Sequence, residues 1–168
     1  WYVLGQAHQR SGDDRAAEAA FRESVKVDRS FKDGWIALTE LNLSRGQAKP
    51  ALEAIQQATV FHGDDPRVQL LLARALLESG QATQARAGLA TLAAAQPRSV
   101  PVQLQYGRAL LATGQYDQAE AIFKRFYRPG QKDLAALDGL VRVLGARGQG
   151  RAAFALAESE WKRDPQSK

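Results

Sequence analysis

Cysteine is absent from the 168 residues, and so is methionine. The first absence excludes disulfides and thiolate metal sites, and it removes redox chemistry as a guide to compartment. The second, together with a first residue that is Trp1, leads to the expectation that the sequence is a processed or excised part of a longer protein. Only two histidines occur, His8 and His62, and neither has a partner at the spacing a metal site needs. No apolar run approaches the ~18 residues of a membrane span, and no basic-then-apolar signal segment opens the sequence. A soluble protein of the bacterial cytoplasm or periplasm, without membrane insertion, is therefore expected.

Chemistry is missing as well. Gly145, Gly148 and Gly150 crowd together but do not form a phosphate-binding loop between a strand and a helix. The carboxylate clusters Glu18 and Glu23, Asp13 and Asp14, and Asp64 and Asp65 fall in expected turns or on exposed helix faces, where capping and solvation account for them. No acid–base pair, catalytic residue, metal or cofactor is expected, and the segment is read as non-enzymatic.

Alanine, leucine, glutamine and arginine dominate what is there, and β-branched residues are few, a balance that favours helix. The organisation is periodic. Glycine stands at Gly12, Gly46, Gly80, Gly114 and Gly148, each 34 residues after the last, and alanine follows five positions later at Ala17, Ala51, Ala85, Ala119 and Ala153. Glutamine follows the last four of these glycines, at Gln47, Gln81, Gln115 and Gln149. A glycine is what a helix needs to stop in a left-handed conformation and reverse, and a small residue lets two helices cross closely. The spacing predicts first helices near 1–11, 33–45, 67–79, 101–113 and 135–147, and second helices near 15–28, 49–62, 83–95, 117–128 and 151–163. Pro50, Pro66 and Pro101 fall at helix starts and Pro97, Pro129 and Pro165 at the ends of second helices, where the missing amide is harmless. Asp65 before Pro66 is expected to cap a helix, and Asp117 with Glu120 has the spacing of a capping box.

This pattern resembles the tetratricopeptide repeat, a 34-residue unit with tryptophan, leucine–glycine, tyrosine, alanine, phenylalanine, alanine and proline columns. Trp1, Leu4, Gly5, Ala17 and Phe21 carry it in the first repeat, and Trp35, Leu38, Ala51 and Ala58 in the second. Leu72, Ala85 and Pro97 carry it in the third, Gly107, Ala119 and Phe123 in the fourth, and Leu140, Ala153 and Pro165 in the fifth. The tyrosine column departs, reading His8, Asn42, Leu76, Leu110 and Leu144, and the glycine of the leucine–glycine pair becomes Thr39, Ala73 and Val141, the last expected to reshape packing in the final repeat. The resemblance implies an all-α, right-handed superhelical solenoid of five helix-turn-helix repeats, at about 1–31, 32–65, 66–99, 100–133 and 134–168. It also implies that the first helices line a concave face that binds a partner.

The net charge of +5 is uneven: residues 1–68 hold 9 basic and 10 acidic groups, residues 69–168 hold 14 and 8. Arg74, Arg108 and Arg142 recur at the 34-residue period, where the first two repeats have Gln6 and Glu40. Leu70, Leu104, Ile36 and Tyr2 lie on one side of that series and Leu43, Leu77 and Leu111 on the other, within three or four residues and so on one helical face. With Arg67 and Gln105 they form the expected partner-binding surface, suited to an acidic peptide or helical segment because arginine grips carboxylates through paired hydrogen bonds. The competing account makes Arg74–Glu78 and Arg142–Asp138 ordinary four-residue ion pairs, leaving Arg108 as the unpaired rung, and assigns the apolar flanks to packing between repeats. The family's carboxylate clamp for chaperone tails is not reproduced, since Tyr2, Gln6 and Ala37 hold its positions.

The reading is a protein-binding scaffold of a bacterial multiprotein system such as secretion, envelope assembly or polysaccharide export. Nucleic-acid binding is the lesser alternative: the second half is basic, but no regular series of stacking aromatics accompanies it. Self-association is another, through Phe154, Leu156 and Trp161 near the C-terminal end, to form a homodimer. A substrate-recruiting role beside a catalytic domain outside the segment is the third.

Overall fold

The computed structural model describes residues 1–130 and 134–163. Among the described residues there are ten α-helices and no strand. The first helices of the five repeats are α1 (Tyr2–Arg10), α3 (Lys32–Ser44), α5 (Pro66–Glu78), α7 (Val100–Ala112) and α9 (Ala135–Ala146). The second helices are α2 (Asp14–Val27), α4 (Ala48–His62), α6 (Ala82–Ala95), α8 (Tyr116–Phe126) and α10 (Gly150–Arg163). These bounds follow the spacing read from the sequence to within one or two residues. Pro50, Pro66 and Pro101 occupy first turns, Pro97 and Pro129 follow the ends of α6 and α8, and Pro165 lies outside the described residues.

The chain forms two compact units, Trp1–Gly88 and Leu89–Lys168. In the first, α1 to α5 pack each on the next, and α3 also lies against α5. In the second, α7 to α10 do the same, and α7 lies against α9. Within these units α2, α4 and α8 each sit between two first helices, as a 34-residue hairpin stack requires.

Each hairpin turns through the same hydrogen-bonded device. Gly12, Gly46, Gly80, Gly114 and Gly148 all have positive φ, between 68° and 80°. The residue after the glycine donates its N–H back into the helix, Gln47 to Asn42 O (2.8 Å), Gln81 to Leu76 O (2.8 Å), Gln115 to Leu110 O (2.9 Å) and Gln149 to Leu144 O (2.9 Å). This six-to-one bond defines a Schellman stop. The same glutamine then accepts the first bond of the next helix through its carbonyl, from Ala51, Ala85, Ala119 or Ala153. One residue thus closes one helix and opens the next.

Helix crossing is set by an exchange of volume. Phe21 is fully buried against Gly5, where an added Cβ would stand 2.5 Å from the ring. Three repeats later Phe123 is fully buried against Gly107, where a Cβ would stand 2.9 Å away, and it also presses on Gly139 of α9. Where the first column grows, the second shrinks: Thr39 matches Ile55, and Val141 matches Ala157. Thr39 and Ile55 are both fully buried, whereas Ala157 is exposed.

Charge binds successive repeats. Glu18 on α2 accepts from Arg22 (2.7 Å) and from Arg45 at the end of α3 (2.5 Å). The identical arrangement returns three repeats on, Glu120 on α8 meeting Lys124 (2.6 Å) and Arg147 at the end of α9 (2.7 Å). Arg147 also takes Asp117. The capping box expected from Asp117 and Glu120 is therefore not formed. Gln115 occupies the N-cap, without a side-chain cap bond, and places Asp117 inside the helix. Glu18, expected to be merely solvated, is likewise half-buried in an ion pair. Asp65 does cap α5, accepting from the N–H groups of Arg67 (2.8 Å) and Val68 (3.3 Å) while Lys32 reaches it from α3 (2.7 Å). The Lys32 hydrogen bond, ahead of the cap bonds, holds the Asp65 carboxyl below its usual range.

In the second unit Glu160 of α10 draws in the segment after α8. It accepts from the Gly130 N–H (2.8 Å), the Tyr127 hydroxyl (2.7 Å) and Arg163 (2.5 Å). The Gly130 N–H first, then the Tyr127 hydroxyl, lower the Glu160 carboxyl from its ordinary value. Burial first, then this neighbouring carboxylate, raises the Tyr127 phenol.

Two expectations follow. In urea denaturation, Gly46→Ala loses about 1 kcal/mol because its φ is left-handed, and Gly107→Ala loses about 1–3 kcal/mol through the clash with Phe123. Gly145→Ala, in α9 with nothing within 4 Å, gains about 0.5–1 kcal/mol instead; a loss there would contradict the packing described. For Glu160, a folded pKa below the unfolded one means that its stabilisation is complete above about pH 4.3 and is lost as pH falls through the lower folded value. The Tm gap between wild type and Glu160→Gln should therefore close in acid, and a gap constant from about pH 7 to about pH 3 would refute the linkage.

Candidate functional site

Lateral packing of the first helices decides which of their residues remain outside. In the first unit Ile36 of α3 is 2% exposed and belongs to the core cluster with Val68, Leu71 and Ala75 of α5. In the second unit Leu104 of α7 is 8% exposed and clusters with Ala136 and Leu140 of α9. Both were expected to line a ligand surface and are instead consumed by helix-to-helix packing, as is Leu43. Tyr2 likewise turns inward, its ring 5.9 Å from Phe21 and edge-on to Phe31 at 5.2 Å. Leu70, Leu77 and Leu111 stay half-buried, with part of each side chain at the surface.

The charged residues divide into paired and unpaired. Arg67 at the start of α5 bridges to Glu40 on α3 (3.3 Å) and stands 3.9 Å from Asp33. Arg142 is paired within α9 to Asp138 (2.8 Å). Arg74 is exposed, and the pair with Glu78 that its spacing allowed is not formed. Arg108 is half-buried. Among the described residues, neither Arg74 nor Arg108 makes an ion pair. Two guanidinium groups at equivalent positions of successive repeats, one in each unit, are thus without a carboxylate partner among the described residues. Gln105, on the turn before Arg108, is half-buried and its Oε1 has no partner among the described residues, a state that costs roughly 1–3 kcal/mol.

Sequence reasoning missed the two Glu–cation–Arg networks centred on Glu18 and Glu120, although a signal was available. Each glutamate, the cation four residues on and the arginine just before a turn glycine recur with a separation of three repeats. His8 and His62 hold no metal-like arrangement: His62 Nε2 lies 2.7 Å from Ser30 O. Among the described residues no three histidine, aspartate or glutamate side chains come together as metal ligands would, and no helix is long and apolar enough to cross a membrane.

A family model described as tetratricopeptide repeat matches residues 43–101 and 76–144, and a second one of the same description matches residues 1–31. No curated protein sequence matches the chain. Solved structures do. A thermophilic TPR protein of Thermus thermophilus is 20% identical with a TM-score of 0.73, over 98% of this chain and 90% of that one. PilW, titled a widely conserved type IV pilus biogenesis factor, is 22% identical with a TM-score of 0.80, over 96% of this chain and 75% of that one. A tetratricopeptide repeat protein from Parabacteroides merdae is 15% identical with a TM-score of 0.85, over 97% of this chain and 64% of that one. At such identities the likeness is one of fold. The family models cover most of the chain on their own, and the protein belongs to the tetratricopeptide repeat family, whose helical repeats serve in general as non-catalytic scaffolds for binding other proteins.

Proposed function

We propose that the protein holds an acidic peptide or helical segment of a partner protein against its first helices, and that this segment catalyses nothing. One observation carries the reading: Arg74 and Arg108, equivalent in successive repeats, keep their guanidinium groups free of carboxylates among the described residues, while Arg45, Arg67, Arg142 and Arg147 are all committed. An uncommitted arginine beside half-buried leucine offers a partner a bidentate carboxylate contact next to apolar surface. In the first unit that surface is Arg74 with Leu70 and Leu77. In the second it is Arg108 with Leu111 and Gln105, joined by Arg142, whose exposed pair with Asp138 is worth only about 0.2–0.5 kcal/mol and exchanges readily for a ligand's carboxylate. The partner is inferred to belong to a bacterial multiprotein assembly, in keeping with the Thermus and Parabacteroides sources of two of the solved structures of like fold.

The test is capture of an acidic helical peptide by wild type, Arg74→Glu, Arg108→Glu and the Arg74→Glu/Arg108→Glu/Arg142→Glu variant, with circular dichroism as a folding control. Each single reversal should weaken binding about tenfold and the triple should abolish it. Unchanged capture by the triple variant removes the proposal. Tighter binding of a single-stranded oligonucleotide, with a steep loss on adding salt, would favour nucleic acid instead.

A specific observation also supports self-association. Phe154 and Trp161, seven residues apart on one face of α10, are 69% and 56% exposed, while Leu156 turns inward against the core. Two large apolar side chains on one helical face suit a second copy. Sedimentation equilibrium should find a dimer that Phe154→Asp dissociates; a monomer at every concentration would dismiss it.

A further inference from the structure

A cleft of about 610 Å³ opens within the first unit between α2, α3 and α4, with no residue of α5 in its lining. Its floor comes from α3, with Trp35, Leu38 and Asn42 successive on one helical stripe. Asn42 differs from its equivalents in the later repeats, although the first repeat also has a polar residue there, His8. Leu76 and Leu110, one and two repeats on, are buried apolar side chains that fill the position, whereas Asn42 is shorter and polar. Its Nδ2 donates to Leu38 O (2.8 Å), and its Oδ1 is buried with no hydrogen-bond partner among the described residues. A residue 1% exposed, holding an acceptor without a donor, thus lies at the base of an open cleft. A structural role alone would be served better by leucine.

The walls narrow the class of ligand. The Trp35 indole is fixed by its Nε1 bond to Arg29 O (2.8 Å) and is half-buried, which makes it a preorganised apolar wall beside Leu38. A flat ring carrying a hydroxyl matches such a wall with an acceptor beneath it. Along the rim run Arg22, Lys26 and Arg29, spaced four and three residues apart, against Glu53 as the one carboxylate of the lining. Arg22 is ion-paired with half-buried Glu18 (2.7 Å) and Lys26 with Glu23 (3.2 Å), whereas Arg29 has no ion pair among the described residues. Three cations along one edge favour a ligand whose flanks are acidic.

We propose that this cleft is a second binding site, which takes a tyrosine side chain of an acidic peptide. The ring lies against Trp35 and Leu38, the hydroxyl donates to Asn42 Oδ1, and neighbouring carboxylates meet Arg22, Lys26 and Arg29. Because Oδ1 lies beneath the surface of the open cleft, seating the phenol parts the lining side chains. The new hydrogen bond then satisfies an acceptor that the free protein leaves bare.

The probe is a fluorescein-labelled Asp-Glu-Tyr-Glu-Asp peptide, titrated by anisotropy into the whole chain. It should bind wild type, and the phenylalanine version should bind about tenfold more weakly, since only the hydroxyl is lost. Asn42→Leu copies the residue of the next two repeats; it should raise Tm, because it removes a buried unsatisfied group, and yet abolish binding. Arg29→Glu should weaken binding about tenfold. These comparisons are made in the Arg74→Glu/Arg108→Glu background, which removes the acidic-peptide surface of the first helices; binding that needs the tyrosine and Asn42 should persist there. No binding by wild type, equal affinity for the tyrosine and phenylalanine peptides, or full binding by Asn42→Leu would each overturn the proposal. Free p-hydroxyphenylacetate displacing the probe at the peptide's own affinity would overturn its assignment to a peptide.

Discussion

Gly5 and Phe21, and three repeats later Gly107 and Phe123, meet where the first helix of a repeat crosses the second. The ring lies where a Cβ would be, so the two backbones approach only because one partner has no side chain there. The remaining packing inherits that spacing. Ala17, Ala51, Ala85 and Ala119 are fully buried, which a crossing this tight demands of the neighbouring position. Phe123 reaches further, onto Gly139 of the following repeat, and so helps seat one hairpin on the next. Thr39 with Ile55, both fully buried, shows the same constraint met with other side chains.

Once hairpins are stacked, charge distributes itself over what packing leaves exposed. Second-helix glutamates capture the arginine that ends the next first helix, as Glu18 does Arg45 and Glu120 does Arg147. These pairs are half-buried, which protects them from screening more than the exposed pair of Arg142 with Asp138. They also remove two arginines from the set that a partner can reach. The proposed partner surface is accordingly a remainder: Arg74 and Arg108 belong to it because no carboxylate pairs with them among the described residues, not because arginine is scarce.

The same logic distinguishes the two surfaces of the first unit. The surface around Arg74 is an open helical face whose affinity would come from exchangeable carboxylate contacts. The cleft over Asn42 is a recess whose specificity would come from one unsatisfied acceptor and a fixed indole. An open charged face tolerates many acidic sequences, while a polar group at the base of a recess discriminates against ligands that leave it unpaired.

The sequence by itself determined the repeat. Glycine at a 34-residue period means a left-handed turn whatever surrounds it, because the cost of a Cβ there is local. Helix bounds, the proline positions and the Asp65 cap were legible for the same reason. Asp117 and Glu120 were misread because a capping box depends on which residue becomes the N-cap, and Gln115 was already committed to the preceding turn. Ile36 and Leu104 were misread because helical periodicity shows which residues share a face, not whether a neighbouring helix covers it. Only the tertiary structure decided which arginines were committed to carboxylates far along the chain, and that replacing the leucine of later repeats by Asn42 left an acceptor stranded beneath a cleft. Pairing and burial are properties of distances between repeats, and no spacing within one repeat encodes them.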